Sequence, residues 1–105
     1  VRFGPWYRLA DAARHAPAGP GVFQVRLEDG LVDYPTGKSA MVHYAAADDL
    51  LAATTAFAAA HADRSWLCRH TIEMTAADQA TAPAHCDRLV RDFTARFGVA
   101  PRFEP

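Results

Sequence analysis

Gly21-Val22-Phe23-Gln24-Val25-Arg26-Leu27-Glu28-Asp29-Gly30 is the stretch that decides the fold class. From Val22 onward apolar and polar side chains alternate, with Phe23, Val25 and Leu27 on one face and Gln24, Arg26 and Glu28 on the other. That is the period of a half-buried strand, and Asp29-Gly30 ends it in a turn. Before it, Leu9, Ala12, Ala13 and Ala16 recur at helical spacing within 5–16, and Pro17, Gly19, Pro20 and Gly21 cannot continue a helix. After it, Leu31, Val32 and Tyr34 extend a hairpin, and Pro35-Thr36-Gly37-Lys38 reads as a loop. Ala40 to Ala45, with Met41, Val42 and Tyr44, supplies the principal return strand.

Further out the period changes again. Asp48 is a plausible N-cap with Asp49 in the first turn, and Leu50, Ala53, Thr54, Phe57 and Ala58 line one face of a helix running to about His61. Trp66 to Glu73 alternates as a third main strand, with Trp66, Cys68, His70 and Ile72 pointing one way. A loop or short helix over 75–82 leads to a long helix from Pro83 to Phe97, stopped by Gly98. Its inner stripe is Cys86, Leu89, Val90, Phe93 and Phe97. Its outer face pairs Asp87 with Arg91, Arg88 with Asp92 and Asp92 with Arg96 at i,i+4. The expectation is one α+β domain over 1–105, with a small three-stranded antiparallel sheet, a hairpin extension and flanking helices.

Composition narrows the function. Of 105 residues 50% are hydrophobic and 22% charged, so a folded globule is expected and disorder over most of the chain is excluded. A formal charge of −1 argues against holding nucleic acid by bulk electrostatics, although a local basic groove stays open. No stretch approaches a membrane span and no secretory leader is visible, which makes a cytoplasmic location the default expectation. Cys68 and Cys86 are too few for a disulfide framework.

Gly37-Lys38-Ser39 looks like the end of a phosphate loop, but Val32 stands where the required glycine would be and a strand follows instead of a helix. Cys68, His70, His85 and Cys86 have zinc-ligand chemistry. Adjacent His85 and Cys86 on one helix point about 100° apart, so no metal and no cofactor is expected. Cys86 near a helix N-terminus, with His43, His70 or His85 as base, would make a thiol nucleophile, yet Cys86 also lies on the apolar stripe.

The order of short signals is more informative. Gly21-Val22-Phe23-Gln24-Val25 on one strand, Met41-Val42-His43-Tyr44-Ala45 on the next, a helix opened by Asp48-Asp49-Leu50, a strand, and a helix ending Phe93-Thr94-Ala95-Arg96-Phe97-Gly98 together resemble the GIY-YIG endonuclease family. The resemblance covers about 20–101. It implies a three-stranded antiparallel sheet flanked by helices, and at the same time it implies lost catalysis. Phe23 stands for the family's first tyrosine and His43-Tyr44-Ala45 for its Tyr-x-Gly. Ala53 stands for its arginine, and Cys86 for the glutamate that binds magnesium, with Asp87 one residue off. Gly98 takes the place of the closing asparagine. Phenylalanine and an uncharged thiol can neither deprotonate water nor hold the metal.

The expected function is therefore an interaction module without nuclease activity, taking nucleic acid or a protein partner through the old active-site face. Phe23 and Ala53 would lie in its cleft. Any DNA or RNA binding would be weak and salt-sensitive, resting on Arg64, Arg69 and Lys38. The alternative is an enzyme with a repurposed cleft in which Cys86, His43 and Tyr44 support thiol-dependent catalysis or small-molecule binding. A homodimer through the exposed side of the sheet is a third reading.

Overall fold

A computed structural model describes residues 2–103. Strand β1 (Tyr7–Arg8) runs into the short helix α1 (Leu9–Ala12), and β2 (Gly21–Leu27) follows. Then come β3 (Val32–Tyr34), β4 (Gly37–Ser39), β5 (Met41–Ala47), α2 (Leu50–Ala60), β6 (Trp66–His70), one 3-10 turn (Ala76–Asp78) and α3 (Thr81–Phe97). The α+β class expected from periodicity holds, with three helices and antiparallel strands throughout.

The main sheet has four strands in the order β1-β6-β2-β5, not three. The fourth comes from the segment read as a helix from Pro5: Tyr7 and Arg8 pair with Cys68 and Leu67, and helix begins only at Leu9. Strand β2 was expected to be half-buried and is instead central and covered on both faces, with Val22, Phe23, Gln24 and Val25 all buried. Strand β6 stops at His70. Thr71 donates its N–H to the Val22 carbonyl, and its hydroxyl accepts from the Val22 N–H at 3.1 Å. The alternation therefore breaks: Thr71 is buried, and Ile72, expected inside, is exposed.

Residues Gly37 to Ser39 are a strand, not a loop. Strands β3 and β4 form a separate two-stranded ribbon, and the ribbon has a structural task at the far end of the chain. A helix leaves its last carbonyls without partners. Thr36 supplies two of them for α3: its hydroxyl donates to the Arg96 carbonyl at 2.7 Å and its N–H to the Phe97 carbonyl at 3.2 Å. Gly98, at φ 94°, closes the same end by donating to the Thr94 carbonyl. Tyr34 is buried beside Phe93, donates to the Met41 carbonyl at 2.6 Å and accepts from the Arg102 N–H at 3.2 Å.

Helix α2 begins one residue later than expected, with Asp49 as N-cap accepting from the Ala52 N–H. The N–H groups of Leu50 and Leu51 donate to the carbonyls of Gly19 and Pro17. Its first turn is thus satisfied by the Pro17 to Gly19 turn together with Asp49. Gly21 lets the helix sit that close, because a Cβ there would meet Leu50 and Thr71 at 2.5 Å. Helix α3 starts at Thr81, so Pro83, which has no N–H to leave unpaired, falls in its first turn. None of the three i,i+4 charge pairs expected along α3 closes into an ion pair.

Two apolar clusters flank the sheet. Leu9, Phe23, Val25, Val42, Leu50, Trp66 and Cys68 pack beneath α1 and α2. On the opposite face Val22, Ala82 and Cys86 pack with Tyr44, Met74, Leu89 and Val90 beneath α3. Among the described residues no helix is long and apolar enough to cross a membrane.

Candidate functional site

Antiparallel registers decide which side chains share a face, because directly opposed residues point the same way. Phe23 stands opposite Ala45 and His70, and Val25 opposite His43 and Cys68. Gln24 stands opposite Tyr44 and Arg69, and Arg26 opposite Met41 and Leu67. Adjacent residues on one strand therefore carry two different surfaces.

On the α2 side, Phe23, His43 and Ala53 do come together. The site they form is filled. The His43 ring stacks on Phe57 at 4.7 Å, and Phe23 meets Phe57 edge-on at 5.8 Å. Phe103, from the segment after α3, lies 5.0 Å from the His61 ring and 5.1 Å from Trp66. Burial, with His61 nearby, pushes the His43 imidazole below its ordinary value and keeps it neutral. Burial does the same to His70, whose Nδ1 has no hydrogen-bond partner. Among the described residues no group of three or more His, Cys, Asp or Glu could hold a metal ion.

Cys86 and Tyr44 belong to the other face. Cys86 packs with Val22, Ala82 and Tyr44, whereas His43, one of the three histidines considered as its base, stacks on Phe57 across the sheet. The structure does not bring that pair together. The sequence suggested the pairing because Cys86 and His43 both aligned with active-site positions, yet alternation along β5 sends His43 and Tyr44 in opposite directions. Burial first, then Asp87, raises the Cys86 thiol. Burial lifts the Tyr44 phenol to about 12, against the opposing pull of Arg69. Neither group is ionised at neutral pH, so neither is poised as nucleophile or base.

The three basic residues expected to bind phosphate also separate. Lys38 sits on the ribbon, 3.5 Å from Asp33. Arg64 lies over the Trp66 ring on the α2 side. Arg69 alone is on the α3 side, and there it joins residues that periodicity did not single out. Its guanidinium lies 4.6 Å from the Trp6 ring centre and 4.7 Å from that of Phe3, and its Nε donates to Gln24 at 2.7 Å. Arg26 lies over the other part of the ladder, 5.1 Å from Trp6. Register places Arg8, opposite Leu67, in the same row.

Helix α3 packs on β5 and β2. The β6 and β1 part of that face therefore presents arginines interleaved with aromatic rings, flanked by Tyr44. Gln24 and Arg26 were legible in the sequence as the second phase of β2, but the phase was read as solvent. Trp6 and Phe3 gave no signal, since they precede a strand only two residues long and Phe3 meets the sheet through a lone bridge to Thr71. No family model, no curated protein and no solved structure matches this chain on comparison.

Proposed function

We propose that this domain is a catalytically degenerate relative of the GIY-YIG endonucleases that acts as an interaction module, with single-stranded nucleic acid as its partner. The observation that carries the reading is the ladder Arg26, Trp6, Arg69 and Phe3 on the part of the sheet next to α3. Aromatic rings give bases a stacking surface of roughly 1–3 kcal/mol per base, and arginines interleaved with them neutralise phosphates. The four-residue ladder achieves this locally in a chain whose formal charge is −1.

Cleavage has no comparable support. Phe23 and His43 pack among aromatic rings on one face, Cys86 and Tyr44 lie on the other, and the Tyr44 phenol stays protonated. The thiol-enzyme alternative has less support: His43 and His70 are on the far side of the sheet, His85 lines the neighbouring cavity that Cys86 does not line, and burial raises the Cys86 thiol.

Fluorescence anisotropy with labelled single-stranded DNA and RNA oligonucleotides tests the reading. Binding is expected at low salt, with log affinity falling by about 0.7 per phosphate contact for each decade of salt. Trp6→Leu should weaken it by roughly tenfold, the value of one stacked base. The same oligonucleotides, and duplex and branched DNA, should survive incubation with magnesium. Absence of binding at low salt, binding indifferent to Trp6→Leu, or metal-dependent cleavage that survives repurification each overturns the proposal.

A further inference from the structure

A second site is separate from the arginine ladder. Where the 3-10 turn meets the start of α3 a cavity of about 400 Å³ opens, within the size range of small-molecule pockets. Met74 and Ala84 supply apolar walls, and Met74 continues into the Val22, Ala82 and Cys86 cluster. Arg88, on the lining, makes no ion pair with any described residue. Glu73 and Asp78 line it too.

Both acids are held in place from behind. Glu73 pairs with Arg2 at 3.1 Å, and Asp78 accepts from the Thr75 N–H at 2.8 Å. Their positions are therefore fixed without any ligand. His85 completes the lining, and its Nε2 is buried without a hydrogen-bond partner. An unpaired buried nitrogen is costly, and a hydrogen bond from a ligand atom there would relieve that cost.

The charges choose the ligand class. A simple carboxylate would meet Arg88 but also two acids, and a simple amine would meet the acids but also Arg88. A molecule that carries both signs satisfies both sides. We infer that this cavity binds a small zwitterion of the α-amino acid class with an apolar side chain. The carboxylate faces Arg88, the ammonium group faces Glu73 and Asp78, and the side chain rests on Met74 and Ala84.

The test uses L-leucine and L-methionine against two analogues, N-acetyl-L-leucine, which lacks the ammonium, and L-leucinamide, which lacks the carboxylate. NMR follows the Met74 methyl and the His85 ring in the intact protein. Saturable shifts with the free amino acids are expected, and each analogue should bind at least tenfold more weakly, as expected for loss of a charge-assisted hydrogen bond. Arg88→Gln, an exposed change, should remove the preference for leucine over leucinamide, and His85→Ala should weaken leucine while leaving the fold intact by circular dichroism. No saturable shift with any of the common amino acids up to about 10 mM overturns the inference. So does equal affinity for all four probes, or a leucine preference untouched by Arg88→Gln.

Discussion

The two faces of one sheet have diverged in chemistry although they are written on the same strands. The α2 side stacks His43, Phe57, His61, Trp66 and Phe103 into a ring cluster. The α3 side leaves Arg26 and Arg69 laid over Trp6 and Phe3. The difference teaches that position along a strand says little until its phase is known. His43 and Tyr44, or Cys68 and Arg69, are neighbours in the chain and strangers in space. The α2 face is filled by rings packed on one another, and the α3 face carries the arginines.

The widest contrast to test lies in the two thiols, one on each face. Burial pushes Cys68 up to about 12 and also raises Cys86. Both should alkylate orders of magnitude more slowly in the native protein at neutral pH than in denaturant, since the thiolate is the reactive form. Fast native labelling of Cys86, with an apparent pKa below about 7, would restore it as a nucleophile and break the division of labour.

Phe57→Ala comes next. It removes the partly buried ring at the centre of the cluster and should cost about 1–3 kcal/mol in a urea melt, without touching oligonucleotide binding. Equal loss of binding would show that the two faces work as one.

The pH dependence is smaller and has a definite sign. His43 and His70 both titrate below their ordinary 6.5 when folded, so the unfolded chain takes up protons first. Their contribution to stability is present above about 6.5 and is lost as pH falls through that value toward the folded one. Melts from pH 8 to 5 should show this decline, and His43→Gln should flatten it. Stability that rises on acidification would contradict the assignment.

Arg26→Gln should change least, by no more than about 1 kcal/mol, because it removes one cation–π contact of a half-buried arginine whose Nε has no hydrogen-bond partner to lose. Its effect belongs to binding instead. A large loss of stability would mean that the arginine ladder is structural after all.

The sequence made the long elements legible and the short ones not. Helix α3 and strands β2, β5 and β6 each carry several residues in phase, so their errors were confined to ends: Thr81 for Pro83, His70 for Glu73. Tyr7 and Arg8 were misread because two residues cannot display a period, and the helical spacing just after them claimed the segment. The contents of the aligned site were legible by position, since Phe23, His43 and Ala53 do meet. Cys86 was not, because which way a helix faces depends on where α3 crosses the sheet. Arg69 was singled out and the rings beside it were not, since Phe3 and Trp6 are brought to it by a lone bridge at Thr71 and by the two-residue β1.

The Thr36 bonds to the end of α3 join residues 60 positions apart in the chain. The last turn of that helix is thus finished by a ribbon made much earlier together with its own Gly98 bond to Thr94. Amide exchange there should follow the opening of the ribbon and not the fraying of an isolated helix, which makes the two segments one cooperative unit. A change in the length of the Asp29 to Ser39 excursion would then be felt at Phe97 before it was felt in the sheet.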